Sequence, residues 1–191
     1  MPLSSANHSY PGLSEAFSAA LQSDAWIPFG SSLWGWFLSM LLLARAFDLL
    51  STWIATPNLA FEGNPLMRRL GWRIGLPLNL AFVLIAACWP MLTISLTTTS
   101  LLVSARNLQS AWLIRSHGQA AYLRWMSERL TAGSRLLAWA CFLGEAAMFA
   151  SIGVALMWVS RWQLLPFSIG LGILVYAGAV AMFMTLSIWR R

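Results

Sequence analysis

The stretch that decides the fold is Leu136 to Val159, LLAWACFLGEAAMFASIGVALMWV, in which Glu145 is the sole charged residue. After Arg161 comes a second such stretch, Leu165 to Trp189, LPFSIGLGILVYAGAVAMFMTLSIW, with none. Each is longer than the roughly 20 apolar residues that a helix needs to cross a hydrocarbon core about 30 Å thick. A connection this short between them predicts two antiparallel, adjacent transmembrane helices.

Working outward, two further spans are expected. The first runs from about Leu33 to Thr56 and is stopped by Pro57, because the residue before a proline is pushed out of helical geometry. The next lies in the uncharged stretch between Arg73 and Arg106, with Pro77 in its first turn and a kink at Pro90. Thr97, Thr98, Thr99 and Ser100 are on hand to satisfy backbone groups freed by the kink. From Arg106 to Ser134 the chain turns polar while Leu108, Trp112, Leu123, Met126 and Leu130 keep helical spacing. One or two membrane-surface helices hinged near Gly118 are predicted there. The fold class is therefore all-α, an integral membrane bundle of about four transmembrane helices with short amphipathic surface helices. Residues 1–30 form an N-terminal tail, read either as an interfacial helix or as irregular chain, and residues 31–191 form the transmembrane domain.

Composition agrees. Of 191 residues, 59% are hydrophobic and 9% charged, against about 25% charged in a soluble domain, and the mean hydropathy is +0.67. The formal charge is +6, all 12 basic residues being arginine. Nearly all flank apolar stretches, which points to lipid headgroups and not to a nucleic-acid surface. Complete absence of lysine suggests a GC-rich bacterial genome. Eight of the tryptophans, from Trp34 to Trp189, fall near span ends, as headgroup-level anchors do. Over four spans the arginine bias favours an inner-membrane protein with both termini cytoplasmic.

No phosphate loop, paired-histidine metal motif or nucleophile elbow is present, and no metal or other cofactor is implied. Chemistry would rest on a few polar groups. Arg45, Asp48 and Glu145 fall within spans, where each needs a partner. Arg45 and Asp48 are three apart and can pair on one helical face, and the expected depths also permit an intramembrane ion pair between Arg45 and Glu145. The small residues Ala147, Ser151 and Ala155 recur every four positions, predicting close packing along that strip. At the outer end of the first span, Asp48, Ser51, Thr52, Glu62 and Asn64 are candidates for a site holding a cation or a polar headgroup. Asn64-Pro65 begins a capped helix.

In its Asp48, Ser51, Thr52 span end and its Glu62, Asn64, Pro65 loop element, the chain resembles a family of small, uncharacterised polytopic membrane proteins of bacteria and archaea. The resemblance covers about residues 35 to 105. It implies the architecture and the candidate site, and no reaction. The partners expected are the lipid bilayer and other membrane subunits, without nucleic acid. Three functions follow: a membrane protein with a polar ligand or cation site, an accessory subunit of a larger complex, or an enzyme using Asp48 and Glu62 as acid and base. Two carboxylates without a nucleophile or metal motif make the last the weakest.

Overall fold

A computed structural model describes residues 12–57, 59 and 65–189. Among these, seven helices form: α1 (Leu13–Ala20), α2 (Ser32–Ala55), α3 (Pro65–Ala86), α4 (Pro90–His117), α5 (Gln119–Ala132), α6 (Arg135–Val159) and α7 (Leu164–Trp189). Four stretches are long and apolar enough to cross a membrane, Ser32–Ala55, Arg69–Ala86, Leu136–Val159 and Leu164–Leu186. This is a multi-pass membrane protein. Its outward faces are covered with large apolar side chains such as Leu43, Phe47, Phe82, Ile85, Met148 and Ile152, as contact with lipid requires.

Local chemistry sets the helix limits. Ser31 caps α2 by accepting the Trp34 N–H at 3.2 Å. Gly118, at φ 77°, separates α4 from α5 at the hinge expected from sequence. Gly71, at φ 64°, interrupts α3 between Leu70 and Trp72.

The stretch from Arg73 to Arg106 departs from expectation. It is not one kinked span. The helix ends at Ala86, and Pro90 occupies the first turn of a new helix, where its missing N–H costs nothing. The chain reverses between them. Thr93 Oγ1 donates to the Ala86 carbonyl at 2.9 Å, and Asp24 accepts the Met91 N–H at 2.9 Å, capping α4 from the N-terminal segment. The Ile27 N–H donates to the Cys88 carbonyl at 2.9 Å.

Cross-helix contacts fix the directions. Trp34 reaches the Leu84 carbonyl, Arg45 reaches Asn79, and Trp72 reaches the Pro57 carbonyl, so α3 runs antiparallel to α2. Arg45 meets Ser100, Ser104 meets Phe47, Asn107 meets Thr52, and Arg115 meets Ile54, so α4 runs parallel to α2. Ser95 and Thr99 donate to the carbonyls of Ser168 and Gly172, making α7 parallel to α4. α6 returns antiparallel to α7, with Gly153 facing Gly170 and Phe149 against Tyr176. The N-terminal segment and the last turn of α7 therefore sit at opposite ends of the bundle.

α4 lies at the centre, packed on α2 along one side and on α7 along another. At the N-terminal end of the bundle Ala20, Ile27, Phe37 and Ile94 form one apolar cluster, with Phe17 stacked on Phe37 at 5.5 Å. Leu41, Val83 and Ala86 form a second. Between α6 and α7 a Cβ on Gly153 would stand 2.7 Å from the Gly170 carbonyl oxygen. That contact corrects the packing strip expected from sequence: Ala147, Ser151 and Ala155 are exposed, and the close approach uses Gly153, on a neighbouring row of α6. Glycine permits a backbone contact that alanine and serine do not.

Candidate functional site

Among the described residues, two ion pairs are embedded in the bundle, on different sides of α4. The first joins Arg45 Nη1 to Asp48 Oδ2 at 2.7 Å, the pairing their three-residue spacing allows. The same guanidinium donates from Nε to Asn79 Oδ1 at 3.1 Å and from Nη1 to Ser100 Oγ at 3.2 Å. One arginine thereby ties α2, α3 and α4 together. A turn further along, Asn107 Nδ2 donates to Thr52 Oγ1 at 3.0 Å and to Ser51 Oγ at 3.3 Å, while Ser51 donates to the Asp48 carbonyl. Asp48, Ser51 and Thr52 thus lie on one face of α2 and make polar contacts within the bundle. Glu62 and Asn64, the other two members of that candidate site, lie outside the described residues.

The second pair corrects a sequence-based expectation. Glu145 pairs with Arg106, Nη1 to Oε1 at 2.6 Å, and not with Arg45. Depth along a helix is legible from sequence, but direction around it is not. Arg45 points to α3 and to the α2-facing side of α4, while Glu145 comes from α6, beyond another side of α4. Arg106, read from sequence as the cytoplasmic end of a span, is its natural partner.

Around this second pair is a chamber. α4 and α6 each lean on a neighbour more than on each other, and the gap is a half-open cleft with a volume of about 460 Å³, lined by Leu102, Ala105, Arg106, Gln109 and Ser110 of α4, Glu145 and Phe149 of α6, and Tyr176 of α7. Phe149 and Tyr176 meet edge to face at 5.1 Å. Glu145 lies about 15 Å along α6 from Arg135, deep enough to fall within the hydrocarbon layer. The chain matches no protein-family model, no curated protein and no solved structure.

The two pairs differ in accessibility. The Arg45 and Asp48 side chains are 25% and 13% exposed, whereas those of Arg106 and Glu145 are 23% and 41% exposed. Arg45 is held by three side chains on three helices, the arrangement of a packing node. The Arg106–Glu145 pair borders open space, so a bound anionic group could take Glu145's place on the guanidinium. Sequence reading missed this site because its residues come from three helices with no shared motif. The signal available was Glu145 itself, an acid inside an otherwise apolar span.

Among the described residues, no three His, Cys, Asp or Glu side chains come together as metal ligands would.

Proposed function

We propose that this protein binds an amphiphile from the surrounding bilayer in the chamber between α4, α6 and α7. The observation that carries this reading is an ion pair bordering a cavity at hydrocarbon depth, with Glu145 41% exposed. A charge there is costly unless protein, water or a polar ligand group solvates it. The lining has two characters. Arg106, Gln109 and Ser110 suit an anionic or hydrogen-bonding headgroup, while Leu102, Phe149 and Ala105 suit an acyl or prenyl chain. A volume near 460 Å³ falls in the range of small-molecule sites, roughly 300–1,000 Å³. The setting proposed is a bacterial inner membrane, in keeping with the all-arginine composition and the family resemblance.

The test is to purify the protein in mild detergent and identify retained lipids by native mass spectrometry. Arg106→Gln should lower retention of the bound species about tenfold, the effect of losing one charge-assisted hydrogen bond, and Ala105→Phe should block the chamber by volume. Equal retention by both variants and the unchanged protein would exclude this reading. Copurification of a larger subunit seated on the chamber would favour the accessory-subunit function instead.

A second reading places a polar ligand or cation at Asp48, Ser51, Thr52, Glu62 and Asn64. It is favoured by the convergence of the Ser51 and Thr52 hydroxyls beside Asn107 at the end of α2. Isothermal titration with Mg²⁺, Ca²⁺ and glycerol phosphate, comparing Glu62→Gln with the unchanged chain, tests it; heats unaffected by the substitution would reject it.

A further inference from the structure

We infer that α4 is a fifth membrane crossing, and that the end of the bundle bearing nine of the arginines is one cytoplasmic surface facing anionic lipid headgroups. The inference is independent of what the chamber binds.

Helix direction comes first. α2 and α4 run parallel with antiparallel α3 between them in sequence, so the chain must traverse the bundle on α3 and again on α4. α4 extends about 42 Å, more than the hydrocarbon thickness. It is less apolar than the four lipid-facing spans because its polar side chains meet protein. Ser95 and Thr99 donate to α7 carbonyls, Ser100 accepts from Arg45, Ser104 donates to Phe47, and Asn107 donates to α2 hydroxyls. Hydropathy reports suitability for lipid, and a helix enclosed by its neighbours does not need it.

Charge is an independent witness. With five crossings, Arg68, Arg69 and Arg73 at the start of α3 lie at the same end as Arg115 at the end of α4, Arg124 and Arg129 on α5, Arg135 at the start of α6, and Arg190 and Arg191 after α7. The opposite end has Arg161 alone, with Glu15 and Asp24. Glu62 and Glu128 are the sole acids at the arginine-rich end, and the two interior ion pairs cancel, so the chain's excess of positive charge arises wholly there. A four-span path distributes the same arginines across both faces. Such one-sided segregation in short loops marks the cytoplasmic side and matches the negative potential of that leaflet. The N-terminal segment and the α6–α7 turn then face outward. The loop carrying Glu62 faces the cytoplasm, in place of the exterior position that four spans imply.

The test is cysteine labelling of the full chain in intact cells, with Cys88 and Cys141 replaced by alanine. Single cysteines enter at Ala25→Cys, Ala60→Cys, Ala120→Cys and Gln163→Cys. A membrane-impermeant maleimide should label positions 25 and 163 in intact cells, and positions 60 and 120 after permeabilisation only. Labelling of 60 and 120 from opposite faces, or of 25 and 163 from opposite faces, would overturn the fifth crossing. Pairs that agree but with 60 and 120 labelled from outside would overturn the cytoplasmic assignment. If the cysteine-free chain is poorly produced, fusions of alkaline phosphatase and of a fluorescent protein after residues 60, 120 and 163 of the native sequence read the same faces.

Discussion

Replacing Arg45 by methionine should expose the worth of the node joining α2, α3 and α4. The side chain keeps an apolar stem but loses a salt bridge to Asp48 at 2.7 Å and hydrogen bonds to Asn79 and Ser100. Asp48, 13% exposed, is left without its guanidinium. Breaking a buried pair from one side costs about 3–5 kcal/mol in proteins generally, and polar contacts between transmembrane helices average nearer 0.6 kcal/mol each, so Arg45→Met is expected to lose about 3 kcal/mol. Asp48→Leu should lose about 2 kcal/mol, since Arg45 keeps Asn79 and Ser100. The double variant buries no charge in this node and should lose about 3 kcal/mol, giving a coupling near 2 kcal/mol. Reversible unfolding in mixed dodecylmaltoside and dodecyl sulfate micelles measures all four proteins. Additive losses, with a coupling below about 0.5 kcal/mol, would show that the pair contributes nothing as a pair and would refute the reasoning. The same cycle on Arg106 and Glu145 should give less than about 1 kcal/mol, because that pair is more exposed.

Gly153→Val should push α6 from α7, since its Cβ would meet the Gly170 oxygen at 2.7 Å; a loss of about 2 kcal/mol or more in the same unfolding assay is expected, and wild-type stability would rule out the contact. Gly172→Ala should separate α4 from α7, its Cβ standing 2.6 Å from the Ser95 oxygen, and a loss of at least about 1 kcal/mol checks it. Asp24→Ala removes the cap on the Met91 N–H and should cost about 1 kcal/mol, seen as a lower melting temperature in detergent. Asn107→Leu should cost about 1 kcal/mol through its bonds to Ser51 and Thr52, with no change in lipids retained by the chamber; altered retention would link the two sides of α4.

Three of the spans facing lipid, α2, α6 and α7, were legible to within a residue, because a run such as Leu136 to Val159 admits one physical reading; the limits of α3 were not, since the uncharged stretch after Arg73 runs on past its end at Ala86. α4 was not. Its first half reads as the continuation of a span kinked at Pro90 and its second half, from Arg106, as a surface helix, until the partners of its serines, threonines and asparagine on α2 and α7 are known. Arg45 and Asp48 were legible as a pair from local spacing. Glu145 was legible as a group needing a cation, but its choice between Arg45 and Arg106 depends on helix rotation and neighbour order, which hydropathy does not encode. The row containing Gly153 was passed over for Ala147, Ser151 and Ala155 for the same reason. The chamber, assembled from α4, α6 and α7, has no contiguous sequence signature.

The central position of α4 imposes an order on biogenesis. Its Ser95 and Thr99 hydroxyls bond to carbonyls of α7, whose end emerges from the ribosome 72 residues after His117. At roughly 5–20 residues per second, α4 waits on the order of 4–14 s for that wall. During the interval α2 and α3 are the helices present to shield it, through the Arg45 bond to Ser100 and the packing of Leu41 and Val83 on its Leu96. The arrival of α7, paired with α6, then covers the side of α4 that α2 leaves open.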